Sequence, residues 1–434
     1  MTPRQQAHAR AGGKDMPLKI AMVSEHASPL AALGGVDAGG QNVHVAELSA
    51  ALARRGHRVT VYTRRDDPAL PDQVDTGAGY SVVHVPAGPP TVLPKDDLLA
   101  HMPAFGAHLD TLWAAERPDV SHAHFWMSGL ATQYASQRRG IPMVQTFHAL
   151  GVVKKRHQGA QDTSPSDRLR LEAELARTAD WVAATCTDEV FELVRLGRAR
   201  SKVSVVPCGV DTNRFTPDGP RAARSHRPRI VSVGRLVPRK GFDILIRAMA
   251  TVPDAELMIV GGPAPRQLFS DSEARRLCKL AANVGVADRV KLTGSVSRAD
   301  MPALLRSADL VACTPWYEPF GIVPLEAMAC GVPVLAAAVG GLLDTVVDGA
   351  TGVLVPPRDH RAVAKAAASL LGDPDRLAQW GAAGRRRAVS RYTWDRIAAD
   401  TLRAYQRVLP LRADGGADAD ADRITGATDD RQSG

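Results

Sequence analysis

Two carboxylates with seven residues between them stand in the segment TPWYEPFGIVPLEAMACGVPVLA: Glu318 in a loop, Glu326 in the apolar run that follows. Residues 310–313 ahead of them read as a strand. Pro324 in a first turn and Gly331 as a stop predict a short helix from about Ile322. A pair of carboxylates can suggest acid–base work, but a helix N-terminus beside cations suggests other chemistry. Glu318 could accept hydrogen bonds from sugar hydroxyls and Glu326 from a ribose, with the amides of Phe320, Gly321 and Ile322 facing a sugar or a phosphate. The cations stand in SVGRLVPRKG, where Arg235 and Lys240 follow a strand and precede a helix near Asp243. Ligands of parallel α/β sheets bind at this end of the strands. There a guanidinium fork and an ammonium point charge can grip a pyrophosphate.

A second glycine-rich loop lies near the front of the chain. Gly34 and Gly35, then Gly39 and Gly40, precede a helix in which Val45, Leu48 and Leu52 share one face. Glycine lets backbone amides approach an anion closely. The loop matches neither G-x-G-x-x-G nor G-x-x-x-x-G-K-[ST], so neither a nicotinamide fingerprint nor a P-loop is supported. VSHAHFW ends one strand with His122 and His124, and VQTFHALG ends another with Thr146 and His148. Singly, such histidines read as core or loop residues; together at strand ends they read as facing one cleft. Lys95 in VLPKDDL and Arg168 in SPSDRLRLEAEL, taken alone, read as surface charges.

These residues need a scaffold that brings strand ends together. Residues 18–23, a glycine loop, a helix and residues 59–62 form a βαβ unit. Residues 82–85, 120–124, 143–146, 180–184 and 203–206 continue the alternation, which predicts a doubly wound α/β domain over 17–210. The Pro-, Gly- and Arg-rich stretch 211–228 reads as an interdomain linker. Strands at 230–233, 256–260, 290–293, 310–313 and 332–336, with helices at 243–250 and 273–283, predict a second α/β domain over 229–392. A last amphipathic helix follows from Thr393, over 393–411. Residues 1–16 read as a loose tail and 412–434 as a disordered one.

Composition narrows the classes. Hydrophobic residues make 45% and charged ones 23% of 434, as in ordinary globular chains, which excludes a wholly disordered or fibrous protein. The formal charge of +8 suits phosphorylated ligands, but aromatics at 5% are too few for a single-strand stacking platform, so no nucleic-acid partner is expected. Five cysteines without a C-x-x-C pair fit buried free thiols in a reducing cytoplasm. They offer no zinc site, and the lone H-x-H of His122 and His124 does not supply one. No apolar run is long enough to span a membrane, and no secretory signal is visible. Peripheral membrane contact and oligomeric state stay open.

The motifs together resemble a known family: the retaining glycosyltransferases of GT-B architecture, two Rossmann-like domains facing across a cleft. The chain is similar to the large group that includes sucrose synthase and sucrose-phosphate synthase, glycosyltransferase family 4. The likeness runs from about residue 17 to 410. It rests on the E-x₇-E element Glu318–Glu326, on Arg235 and Lys240 in VGRLVPRKG, on DAGGQNVHV and on the ending RYTW. The resemblance implies that Arg235 and Lys240 bind the diphosphate of a nucleotide sugar and Glu326 its ribose, while Glu318 with the backbone of Phe320, Gly321 and Ile322 holds the sugar. Gly39 and Gly40 would bring the first helix to the donor, the base would be read near Thr293 and Gly294, and His124 would point at the transferred sugar or the attacking hydroxyl. Catalysis would then rest on His124, Arg235, Lys240 and Glu318, without a metal or other cofactor.

Two subgroups come near in the front half: the inositol-phosphate N-acetylglucosaminyltransferases of mycothiol synthesis and the sucrose-phosphate synthases. Both imply a phosphorylated acceptor, held here by Lys95, Thr146 and Arg168, with Asn42 on an acceptor hydroxyl. Phe125 stands where the mycothiol subgroup has tyrosine, and Gln41 where it has methionine. The expected reaction is hexosyl transfer from a UDP-sugar to a phosphorylated sugar or cyclitol. A GDP-mannose-dependent transfer to a lipid or glycan, and a nucleotide-sugar 2-epimerase, are the alternatives.

Overall fold

The computed structural model describes residues 16–31 and 39–410. The expected tails 1–16, but for Met16, and 412–434 lie outside the described residues, as do Gly34 and Gly35.

Two twisted sheets organise the chain. In the first, β1 (Lys19–Val23), β2 (Arg58–Arg64), β3 (Gln73–Asp75), β4 (Ser81–Val85), β5 (Val120–His124), β6 (Met143–Thr146), β7 (Trp181–Ala184) and β8 (Val203–Val205) lie in the order β3-β4-β2-β1-β5-β6-β7-β8. All neighbours are parallel except β3 on β4. The second is wholly parallel: β9 (Arg229–Val233), β10 (Glu256–Val260), β11 (Val290–Leu292), β12 (Leu310–Cys313), β13 (Val334–Ala337) and β14 (Gly352–Val355), in the order β11-β10-β9-β12-β13-β14. Helices cover both faces of each sheet, which is why central strands such as KIAMV and LVAC read as continuous apolar runs. The strand order reverses between β1 and β5 in one sheet and between β9 and β12 in the other. Crevices therefore open beyond the carboxyl ends of these strands, where parallel sheets take their ligands.

The last helix, Trp394–Gln406, crosses back to the first domain. Thr393 caps it, its hydroxyl accepting from the Arg396 amide at 3.3 Å. Trp394, Ile397, Ala398, Leu402 and Tyr405, at helical spacing, bury into the core with Ile20, Met22, Val45 and Leu48. The two crossings of the chain touch: Val210 bridges Thr393, and its amide donates to the Tyr392 carbonyl at 2.7 Å.

The structure departs from the sequence reading in places. Strand β13 begins two residues later than expected, and β3 and β14 were not anticipated. The connecting stretch 211–228 is mostly exposed but pinned at points. Phe215 is fully buried in the second domain, and Arg306 donates to the carbonyls of Thr216 and Pro220. A single aromatic in a polar stretch leaves composition almost unchanged, yet it anchors the segment. Of the five free cysteines, Cys278 is exposed and Cys313 half-buried, so buried thiols describe only Cys186, Cys208 and Cys330.

Candidate active site

The loops after β9 and β12 meet at the switch point of the second sheet. Gly241 has φ +69°, and a Cβ there would lie 2.0 Å from the Thr314 carbonyl oxygen, so only glycine allows the approach. Thr314 Oγ1 donates to the Gly241 carbonyl at 3.0 Å, and the Trp316 amide donates to the Arg239 carbonyl at 2.8 Å. So stitched, the loops bring Lys240 Nζ onto the Glu318 carboxylate in an ion pair. Burial works against that carboxylate, but Lys240 and Arg239, with hydrogen bonds from Lys240 and the Phe320 amide, hold its carboxyl below the usual range. Arg235 stands exposed just past the end of β9.

The helix Ile322–Ala329 begins at Gly321, φ +74°, and no side chain caps it. Its first amides and the positive end of its dipole are thus available to an anion. Facing it is the N-terminus of the first helix, Gly40–Arg54. A Cβ at Gly40 would lie 3.2 Å from Ile322 Cδ1 and 3.8 Å from Phe320 Cδ2. One turn into the second helix, burial pushes the Glu326 carboxyl up to about 7, against the opposing pull of Arg298 and Arg214. At the end of β11, Gly294 has φ +75°, and its carbonyl accepts from the Gly261 amide at 2.9 Å.

Across the cleft, β5 and β6 carry a buried histidine cluster. Thr146 Oγ1 donates to the Ala183 carbonyl at 3.0 Å, so it accepts from His122 Nε2–H at 2.9 Å, which leaves His122 Nδ1 to accept from the Tyr405 hydroxyl at 2.9 Å. His124 is fully buried, with Nδ1 on His148 Nε2 at 2.9 Å and Nε2 on Met22 Sδ at 3.4 Å. His44 packs its ring against both His124 and His148. Desolvation holds His44 at about 4 and His122 at about 3, and with their histidine neighbours puts His124 and His148 well below 6.5. All four are neutral.

Three residues expected to meet ligands hold partners within the protein. Both ring nitrogens of buried His124 are engaged, by His148 and Met22. Thr146 Oγ1 bonds His122 and the Ala183 carbonyl. Asn42 Oδ1 accepts from the Gly39 amide and its Nδ2 donates to the Ser28 carbonyl, both at 2.9 Å, which leaves each atom one further hydrogen-bonding position. His148 lies closer to the second domain. It holds φ +63° at the end of β6, its ring is 4.9 Å from that of Phe320, and its Nδ1 has no hydrogen-bond partner among the described residues. The sequence showed it in TFHALG, but only the fold singles it out over His124.

Lys95 and Arg168, distant in sequence, do converge. Each cation lies 5.3 Å from the centre of the Phe125 ring, and Phe125 itself holds φ +81° right after β5. Arg168 is fixed by buried Glu172, by Ser164 Oγ and by the Ala149 carbonyl, which uses three of its five N–H groups. A non-glycine residue in the left-handed region is strained, and such strain gathers at functional sites. Among the described residues no group of three or more His, Cys, Asp or Glu is placed to hold a metal ion, and no helix is long and apolar enough to cross a membrane.

Two Rossmann-like domains with opposed helix N-termini and basic strand-end loops across a cleft define a glycosyltransferase of GT-B architecture. Residues 38–214 match the family described as Glycosyltransferase Family 4, and residues 218–387 that described as Glycosyl transferases group 1. The chain belongs to glycosyltransferase family 4. It is 39% identical over 416 residues to a D-inositol 3-phosphate glycosyltransferase of Xylanimonas cellulosilytica, covering 91% of this chain and 98% of the relative. A Catenulispora acidiphila protein, D-inositol 3-phosphate glycosyltransferase 2, is 38% identical over 92% of this chain and 97% of its own length. Among solved structures, the sucrose-phosphate synthase of Thermosynechococcus elongatus superposes with a TM-score of 0.82 at 33% identity, over 89% of this chain and 98% of that one. Anabaena HepE, solved with UDP and glucose, shares the fold at a TM-score of 0.69 and 22% identity, over 90% and 99% of the two chains.

Proposed function

We propose that this glycosyltransferase moves a hexosyl unit, with retention, from a nucleotide diphosphate sugar to a hydroxyl of a phosphorylated cyclitol or sugar, with UDP-sugars as the first donors to test. The observation that carries the reading is the meeting of Lys240, Glu318 and the uncapped helix end at Gly321 with the N-terminus of the first helix. Arg235, Lys240 and these helix ends take the diphosphate, and Glu326 takes a ribose hydroxyl. When the donor enters, Lys240 donates to the phosphate with a second N–H while keeping Glu318, whose remaining lone pairs accept from sugar hydroxyls. The sugar's bond to the phosphate oxygen breaks as the acceptor oxygen bonds to the same carbon on the same face. The departing phosphate oxygen takes the acceptor's proton. The four buried histidines are neutral, and the charge that develops on the leaving group is met by groups already in place.

Lys95 and Arg168 flanking Phe125 suit the acceptor phosphate. This agrees with the relatives 38–39% identical to the chain, which are D-inositol 3-phosphate glycosyltransferases. Lys95→Ala is expected to raise KM for a phosphorylated acceptor about 10- to 100-fold, the scale of one charged hydrogen bond, and to spare donor KM. An equal loss with the unphosphorylated acceptor contradicts the assignment.

The function itself is tested by thermal shift with UDP- and GDP-sugars, followed by transfer assays on inositol phosphates and sugar phosphates. A donor at 100 times its Kd adds about 2.7 kcal/mol of stability. Nuclear magnetic resonance of the product reports the anomeric configuration. No shift with any nucleotide sugar, or an inverted product, overturns the proposal.

A further inference from the structure

Arg298 has no part in the roles assigned above, yet it is the charged side chain that joins the two donor-facing helices. It lies between β11 and the short helix Met301–Arg306, and its side chain crosses the cleft. Its Nη2 is 3.4 Å from Glu47 Oε1 on the first helix, and its Nη1 is 3.6 Å from Glu326 Oε1 on the helix Ile322–Ala329. Its guanidinium also lies 5.8 Å from the ring centre of Phe215, the buried anchor of the connecting segment. Glu47 lies about two turns beyond Gly40, and Glu326 about one turn beyond Ile322. The helices therefore meet at two levels: Gly40 against Ile322 at their tips, and Glu47 towards Glu326 below. The lower meeting brings two carboxylates to one guanidinium. The cation therefore ties a residue of each helix to one point in a partly buried gap.

We propose that Arg298 is a positioning residue, a charged pin that holds the two helix N-termini together across the cleft so that both address the donor diphosphate at once. This rests on the donor site proposed above. Arg298 is engaged by Glu47 and Glu326, so its influence passes through the helices it joins.

The test is a double-mutant cycle in the full chain, with R298M, E47Q and the pair. R298M is expected to raise donor KM about fivefold or more, within the usual range of coupling between sites, with acceptor KM unchanged. E47Q is also expected to raise donor KM, although Glu47 has no assigned part in binding the donor. In the R298M background, E47Q has no further effect on donor KM, because the contact that it would break is already gone. R298K, which reaches one carboxylate at a time, falls between wild type and R298M. Small-angle X-ray scattering of the unliganded proteins gives a readout independent of activity: R298M is expected to have a larger radius of gyration than wild type. Multiplicative effects of the two substitutions, an E47Q variant with unchanged donor KM, or scattering curves that superpose each overturn the pin. Should wild type transfer nothing from any nucleotide sugar, the functional reading fails, and the scattering comparison still decides for or against the pin.

Discussion

Replacing Lys240 by alanine is expected to lower kcat about 10²- to 10³-fold, the cost of removing one preorganised charge from a developing anion. The loss has two sources. A leaving diphosphate loses the ammonium nearest it on the second domain. Glu318 also loses the ion pair that holds its carboxyl below the usual range, while the burial that opposes ionisation remains. Lys240→Arg keeps a cation but replaces a compact ammonium with a planar fork, so it is expected to recover only part of the rate. Glu318→Gln separates the two sources, because it removes the carboxylate and leaves the cation. Steady-state rates at saturating donor check the effect, and a Lys240→Ala enzyme with near wild-type kcat removes this residue from the mechanism.

Stability is expected to fall steeply with acid, well above the range in which carboxylates titrate. His44, His122, His124 and His148 are buried and neutral, with values of about 4 and about 3 for the first two and well below 6.5 for the others. In the unfolded chain each takes up a proton near pH 6.5. The sign follows directly: a base whose value is depressed by folding favours the folded state fully above the unfolded value, and that contribution is lost as pH drops below it. Each histidine that stays neutral in the fold then costs up to about 1.4 kcal/mol per pH unit as pH falls below roughly 6.5, and the four act in the same direction. Total stabilities of about 5–15 kcal/mol make this a large effect. Equilibrium unfolding at pH 7.5, 6.5 and 5.5 measures it. His44→Phe keeps the ring contacts with His124 and His148 and should remove about one proton from the linkage. An unchanged pH slope in that variant contradicts the account.

Much of the scaffold was legible because its signals are local. Residues 256–260 and 310–313 coincide with β10 and β12, and the helix expected from Ile322 begins there. Apolar runs, Pro324 and the glycines after helices act within a few residues of themselves. The three-residue strand β3 carried no such signal, for it holds one half-buried valine between exposed neighbours. The candidate site was less legible. Thr146 and Asn42 were singled out from type and position, but their partners within the protein, His122, Ala183, Ser28 and Gly39, were not legible. His122 and Ser28 come from other strands and loops, and no spacing rule names them. Arg298 left no mark at all, because its meaning lies in Glu47, 251 residues away.

By itself, then, the chain determined its alternating α/β architecture, the glycine and proline punctuation of its loops, and the residence of Arg235, Lys240, Glu318 and Glu326 at strand ends and on a helix. These follow from side-chain periodicity and backbone preference, which act over a few residues. Tertiary structure alone decided that Lys240 pairs with Glu318, that Lys95 and Arg168 close on Phe125, that the histidines stack out of reach of water and that Arg298 spans the cleft. Charges and hydrogen-bonding groups find partners by proximity in space, and packing two sheets against a crossing helix sets that proximity.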